Sequence, residues 1–140
     1  MAERMQAELS WESGLRFRAR SGSGHEVVID APSRPGHAGA SPMELFLIGV
    51  AGCTAMDVVA ILERMRVPPA SLSVEVAGER ATVNPKRYTA IDLRYRVTGP
   101  GLTHEKVERA IALSLESYCS AAASLHPDCR VTTHIELDAG

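Results

Sequence analysis

The stretch SPMELFLIGVAGCTAMDVVAILERMRVPP, residues 41 to 69, decides how the rest of the chain must fold. Ser41 is a good helix cap, and Pro42 suits the first helical position. The helix should run to about Arg66, because Val67-Pro68-Pro69 then stops it. The sequence therefore predicts one long helix near the middle of the chain.

This helix is apolar on nearly every side. Between Leu45 and Leu62 only Thr54 and Asp57 are clearly polar. One domain of 140 residues cannot easily wrap such a helix by itself. We therefore expect the helix to be central and buried, with its small residues packed at the interface of a two-fold homodimer. These small residues are Gly49, Ala51, Gly52 and Ala55.

Alternating apolar residues predict strands on both sides of the long helix, and Thr103 can cap a second helix that ends near His126-Pro127. The resulting order is βββ-α-ββ-α-β, which is typical of an α+β fold with largely antiparallel sheets and two central helices. We expect a single domain over residues 1 to 140. The predicted strands lie near residues 7–11, 15–19, 26–30, 72–83, 91–98 and 131–138.

Composition and charge narrow the function classes. The net charge of -2 offers no basic surface for nucleic acid. The longest unbroken hydrophobic stretch, Leu45 to Cys53, is nine residues, short of the roughly 20 that a membrane span needs. The N-terminal residues, MAERMQAELSWE, have no apolar signal core. We therefore expect a cytoplasmic protein that binds neither nucleic acid nor membrane.

Three cysteines, an odd number without a secretion signal, indicate free or redox-active thiols rather than a disulfide framework. Cys53 lies in the middle of the long helix among small residues, and Cys119 lies at the edge of the apolar stripe of the second helix. A free cysteine is often only a small buried hydrophobe, so position alone leaves both readings open. The two cysteines can pair if the helices bring their Cα atoms within about 7 Å.

Three segments carry a family resemblance: SPMELF at 41–46, AGCTAMDVV at 51–59 and SLESYCS at 114–120. Together they resemble the OsmC/Ohr family of thiol-dependent peroxidases, most closely its uncharacterised branch with a Gly-Cys-Thr-x-Met-Asp-Val helix. The resemblance covers nearly the whole chain. It implies an OsmC-like fold and an intertwined homodimer with two active sites at the interface.

The resemblance also implies a chemistry, the reduction of organic hydroperoxides. Cys53 matches the peroxidatic cysteine, whose thiolate attacks the peroxide and becomes a sulfenic acid. Cys119 matches the resolving cysteine, which condenses with it to a disulfide. A cellular dithiol would reduce that disulfide. No cofactor and no metal are implied.

One departure concerns the charged partners of Cys53. Characterised members of the family place a glutamate directly after the proline, where it holds an arginine close to the reactive sulfur. Here that position is Met43, and Glu44 follows one step later, about 100° around the helix. Glu44 has either a catalytic role or only that of a first-turn carboxylate that stabilises the helix dipole. We expect Arg34, in the loop 32–36, to be the arginine that approaches Cys53; the other candidates are Arg16, Arg18 and Arg20.

Two alternatives stay open. The Met43 departure favours a non-catalytic redox sensor or a small-molecule binding protein on the same fold. His126 and Cys129 resemble part of a metal site, but two ligands without a second pair are poor evidence for zinc, and Cys129 is expected to be an exposed bystander. We expect Asp57, the one charged residue between Leu45 and Leu62, to meet a buried donor or to mark the dimer edge.

Overall fold

The computed structural model describes residues 2 to 138, and the chain divides into two compact units, residues 1–46 and 47–140. The secondary structure follows the predicted order, with one difference in the second helical segment. The α+β class and the OsmC-like arrangement of two sheets with helices are confirmed. A single domain over residues 1 to 140 stays a prediction.

The first unit contains a three-stranded antiparallel sheet in the order β1-β2-β3. β1 spans Ala7–Ser13, β2 spans Arg16–Ser21 and β3 spans Glu26–Ile29. The turn between β1 and β2 places Gly14 at φ 52, a left-handed conformation that glycine adopts without strain. The sheet thus forms the meander that the alternation predicts.

A buried carboxylate fixes the loop that follows β3. Asp30, 4% exposed, accepts hydrogen bonds from the backbone N–H groups of Ala31 and Ala38, at 2.8 and 3.0 Å. Arg16 Nε also donates to Asp30 Oδ2, at 3.0 Å, and Arg16 Nη2 donates to the carbonyl of Gly36. These donors hold the pKa of Asp30 below its usual value, the two backbone N–H groups contributing most.

The long helix, α1, spans Pro42–Arg64 and begins with a reciprocal cap. The Glu44 N–H donates to Ser41 Oγ at 3.1 Å, and the Ser41 N–H donates to Glu44 Oε1 at 2.9 Å. The helix ends two residues earlier than predicted, because the backbone turns at Arg66, which has φ 64.

The second unit contains a three-stranded sheet in which β5 is central. β4 spans Ser71–Arg80, β5 spans Tyr88–Thr98 and β6 spans Arg130–Asp138. β4 pairs with β5 antiparallel, whereas β6 pairs with β5 in parallel. Three of the four pairings between these strands of the described chain are antiparallel, as expected. The pairing of β6 is the exception, because the helical connection after β5 crosses over the sheet and returns the chain in the same direction.

One face of β5 and the inner side of α1 share the core of this unit. Leu93, Tyr95 and Val97 are fully buried, and so are Val58 and Leu62 on α1. The opposite face of β5 is polar and its charged side chains pair with those of β6, as in the Arg94–Glu136 ion pair at 3.1 Å. The alternation in β5 thus sets which face carries the core.

The second helical segment is not one continuous helix. α2 spans His104–Leu113, with Thr103 as its cap, and a π-helical turn follows at Ser114–Tyr118. Cys119 then adopts an extended conformation with ψ 96 before the short helix α3, Ser120–Ala123. The prediction that Cys119 lies within the helix is wrong, because the wider π turn ends the helical hydrogen bonding just before it.

In a single chain α1 is buried on one side only. The other side of the helix is exposed, since Ile48 is 59% exposed and Met56 is 75% exposed. By length and composition α1 would also be long and apolar enough to cross a membrane, although a count of unbroken apolar residues did not indicate this. One such helix is weak evidence for a span, since core helices of globular proteins pass the same test. The exposed side instead fits a helix that packs against another protein surface.

Candidate active site

The fold brings Cys53 and Cys119 together with Asp57. The two sulfurs and a carboxylate oxygen of Asp57 all lie within 4.8 Å of one another. Cys53 and Asp57 are one turn apart on α1 and therefore share a face of the helix. Both cysteines are free thiols, Cys53 half-buried and Cys119 buried. A disulfide has an S–S distance of about 2.0 Å, so the pair is close enough to bond after a small approach of the two side chains.

The break before α3 determines how Cys119 is presented. Its N–H donates to the Ser114 carbonyl, at 2.6 Å, across the π turn. Its sulfur accepts a hydrogen bond from the Ala122 N–H, at 3.4 Å. Burial raises the pKa of the Cys119 thiol to about 11, and the neighbouring Cys53 and Asp57 add to the rise while the Ala122 N–H opposes it. Cys119 is therefore protonated at neutral pH unless a neighbour stabilises its thiolate.

A line of polar side chains connects this cluster to the core. Thr54 Oγ1 lies 2.9 Å from Tyr95 Oη, and the Ser114 Oγ lies 2.9 Å from Thr54 Oγ1. Ser114 Oγ also lies 2.9 Å from Asp57 Oδ2. Since Ser114 has a single hydroxyl proton, it donates to one of these two oxygens at a time. The four side chains satisfy one another in a region where Thr54, Ser114 and Tyr95 are fully buried.

This line of side chains gives the Asp57 carboxylate a hydrogen-bond partner on a mostly apolar helix. The expectation that its carboxylate meets a buried donor agrees with the contact to Ser114. Within the described part of the second unit, residues 47–138, no basic side chain forms an ion pair with Asp57. The carboxylate therefore faces two thiols and a hydroxyl in that unit rather than a cation.

The charged residues predicted from the first unit are placed as follows. The Glu44 carboxylate is occupied by the helix cap, and its pKa is lowered by the hydrogen bonds from Ser41. Arg16 is held by Asp30, and Arg18 pairs with Glu12 at 3.0 Å. Arg34 lies in an exposed turn after Ala31. A role for Arg34 or Glu44 at Cys53 stays a prediction.

The other cysteine lies outside the cluster. Cys129 is half-buried rather than exposed, and its N–H donates to the His126 carbonyl at 2.9 Å. Burial raises its pKa, against the influence of Arg87. His126 and Cys129 belong to no group of three metal-binding side chains among residues 2 to 138.

Sequence reasoning missed three members of the site: Thr54, Ser114 and Tyr95. Thr54 gave a signal, since it is one of the two clearly polar residues between Leu45 and Leu62. Ser114 and Tyr95 gave none, because a serine on α2 and an inward-facing tyrosine on β5 are ordinary in their local patterns. Only the approach of α1, α2 and β5 turns them into a hydrogen-bonded line.

Comparison with known proteins identifies the family. The model of the OsmC-like protein family matches residues 35–134. Protein YhfA of Escherichia coli strain K12 is 39% identical over 133 residues, which cover 95% of this chain and 98% of YhfA. The chain therefore belongs to the OsmC-like family, as the resemblance in its sequence indicated.

Solved structures share the fold. A hypothetical protein from Aquifex aeolicus VF5 superposes with a TM-score of 0.87 at 27% identity, covering 98% of each chain. The organic hydroperoxide resistance protein OsmC from Legionella pneumophila superposes with a TM-score of 0.72 at 16% identity, covering 97% of this chain and 98% of that one. At that identity the Legionella protein shows the common fold alone.

Proposed function

We propose that this protein is a thiol-dependent peroxidase that reduces organic hydroperoxides with Cys53 and Cys119. The observation that supports the proposal is the pairing of the two sulfurs within 4.8 Å, although the cysteines come from different elements. A family that includes an organic hydroperoxide resistance protein makes a peroxide the natural oxidant to test.

The chemistry proceeds in three steps. The Cys53 thiolate attacks the terminal oxygen of ROOH, the O–O bond breaks, and the products are a Cys53 sulfenic acid and an alcohol after protonation of RO⁻. The Cys119 thiol then attacks the sulfenic sulfur, an S–S bond forms as the S–O bond breaks, and the proton of Cys119 leaves with the displaced hydroxide as water. A dithiol of the cytoplasm, where we place the protein, finally reduces the disulfide and restores both thiols.

The difference in burial between the two cysteines supports Cys53 as the peroxidatic cysteine and Cys119 as the resolving cysteine. Cys53 is half-buried, so a small hydroperoxide has a route to its sulfur. Cys119 is 3% exposed, and the rise of its pKa to about 11 makes it a poor first nucleophile at neutral pH. Cys119 is better suited to attack a sulfenic acid that is formed beside it. Arg34 and Glu44 are the proposed charged partners of Cys53.

The proposal includes a homodimer in which α1 lies at the interface. A methyl group at Gly49 or Gly52 would meet no atom of the described chain within 4 Å apart from its chain neighbours and the adjacent backbone of α1, and Met56 is 75% exposed. These three residues follow the same stripe of α1 as Cys53. A second copy that covers this stripe would bury the apolar surface and enclose the reactive sulfur.

The decisive experiment is a free-thiol count on the reduced protein before and after cumene hydroperoxide, with peptide mapping. We expect the loss of two of the three thiols per chain and a Cys53–Cys119 disulfide. Cys129→Ser is the matched control and should lose the same two thiols. Cys119→Ser should stop at a Cys53 sulfenic acid that dimedone traps. Retention of every thiol in the folded protein would overturn the proposal.

A second candidate is a redox sensor on the same fold, which Met43 in the place of the family's glutamate favours. A sensor also forms the disulfide, but it does not turn over. With excess dithiothreitol, the peroxidase should consume many equivalents of cumene hydroperoxide per chain, whereas a sensor should consume about one before its dithiol is slowly restored. The hydroperoxide consumed per chain therefore separates the two.

A further inference from the structure

The cluster of Cys53, Asp57 and Cys119 has the composition of a metal site. Thiolate sulfur and carboxylate oxygen are both ligands of Zn²⁺, and thiolates select thiophilic metals over Mg²⁺ or Ca²⁺. Tetrahedral zinc with Zn–S bonds of about 2.3 Å needs ligand atoms about 3.8 Å apart. The three ligand atoms already lie within 4.8 Å of one another, so rotations of the side chains close the gap.

The surroundings of the ligands also match a metal site. Ser114 Oγ lies 2.9 Å from Asp57 Oδ2, and the carboxylate keeps further lone pairs with which to bind a metal. The Ala122 N–H donates to the Cys119 sulfur. Outer hydrogen bonds of this kind orient ligands and stabilise them as anions. Two of the three proposed ligands, Asp57 and Cys119, thus have an outer hydrogen bond.

Charge balance points in the same direction. With both thiols deprotonated, the cluster holds three negative charges, and within residues 47–138 of the described chain no basic side chain forms an ion pair with Asp57. A divalent cation would neutralise two of the charges and displace the two thiol protons as it binds.

We propose that the reduced protein binds one thiophilic divalent cation, Zn²⁺ in the cell, through Cys53, Asp57 and Cys119, with the fourth position open to water. Three protein ligands and one open position are the pattern of an exchangeable rather than a closed structural zinc site. The bound metal would occupy both sulfurs, so hydroperoxide could not reach a free Cys53 thiolate. The site would then exist in a metal-bound resting state and a metal-free reactive state.

The test is a titration of the reduced, metal-stripped, full-length protein with Co²⁺ under anaerobic conditions, followed by displacement with Zn²⁺. We expect thiolate-to-cobalt charge-transfer absorption that saturates at one metal per chain. Cys129→Ser should behave as the wild type. Cys53→Ser and Cys119→Ser should each weaken binding by at least about a hundredfold, and Asp57→Asn by about tenfold. Equal affinity in Cys53→Ser and the wild type, or no thiolate absorption at micromolar cobalt, would overturn the proposal.

A measurement on the wild type alone guards against variants that misfold. Zinc should slow the alkylation of Cys53 and Cys119 by iodoacetamide, as read by peptide mapping, and leave Cys129 unaffected. Equal alkylation with and without zinc would overturn the proposal as well. The metal site shares its residues with the proposed peroxidase, but metal binding does not depend on turnover. If the metal-free protein fails to reduce cumene hydroperoxide, the proposed function alone is contradicted, and the result of the metal titration still stands.

Discussion

Asp30 shows how one buried carboxylate can organise a whole loop. It accepts hydrogen bonds from two backbone N–H groups and from Arg16, and so joins β2 to the segment that carries Arg34. The proposed partner of Cys53 therefore sits in a loop that has a fixed anchor. The anchor depends on the charge of Asp30, which makes it sensitive to acid.

We expect Asp30→Asn to destabilise the protein at neutral pH and to have a smaller effect in acid. The pKa of Asp30 is lowered in the folded chain, so its contribution to stability is present above the unfolded value of about 4 and is lost as the pH falls through the folded value. Urea unfolding of the wild type and the variant at pH 7 and pH 3 measures this. Glu3→Gln, at an exposed position, is the control. An equal difference at both pH values would contradict the prediction.

The position of the Cys119 sulfur depends on the conformation of the backbone around it. The π turn and the extended residue after it hold the sulfur in a buried position next to Cys53, with one N–H as its donor. Continuous α-helix at this point would rotate Cys119 to a different direction about the helix axis. The approach of Cys119 to Cys53 therefore depends on the irregularity that interrupts the helix.

At the scale of elements, the polar line from Tyr95 to Asp57 fastens α1 to β5 and to the end of α2. Each of its hydroxyl groups has a partner although the region is buried. An unpaired polar group there would be costly, because water cannot replace the missing partner. The line thus fixes how α1 lies on the sheet and where Cys53 points.

We expect Thr54→Val to destabilise the protein more than Tyr95→Phe. Valine has nearly the shape of threonine but leaves the buried Tyr95 hydroxyl without its partner, at a cost of about 1 to 3 kcal/mol. Phenylalanine removes the hydroxyl at the end of the line, and Thr54 keeps Ser114, so the loss is about 1 kcal/mol. The free energy of unfolding in urea compares the two, and a larger loss for Tyr95→Phe would show that Thr54 is not the centre of the line.

At the scale of the whole molecule, the main feature is the apolar surface of α1 that a single chain leaves exposed to solvent. Ile48 and Met56 are more than half exposed on the helix that carries Cys53. We attribute this surface to the proposed homodimer. Dimer formation and enclosure of the reactive sulfur would then be one event.

We expect Met56→Glu to dissociate the dimer. A carboxylate buried without a partner at the interface would cost about 3 kcal/mol or more, which is over a hundredfold in the dissociation constant. Sedimentation velocity over a range of concentrations measures the change. Val83→Glu is the matched control, since Val83 is 72% exposed but lies between β4 and β5, outside α1. A wild type that sediments as a monomer, or a Met56→Glu variant that remains dimeric, would contradict the prediction.

Much of the fold follows from local patterns in the sequence. The cap at Ser41, the prolines after Arg66 and the alternation in β5 each act through neighbouring residues, so the element order and class were predictable. The parallel pairing of β6 with β5 was not, because the alternation in β6 is the same for either direction. The π turn before Cys119 could not be predicted either, since the apolar spacing of α2 continues through it.

The sequence by itself determined the family, the two cysteines to examine and the one carboxylate between Leu45 and Leu62, because those signals are carried by residue types at short spacings. Only the tertiary structure decided that Cys53, Asp57 and Cys119 meet within 4.8 Å and that Ser114 supports the carboxylate. The physical reason is that these contacts join α1 to a helical segment far along the chain. Their distances depend on how both elements pack against β5, which no local pattern specifies.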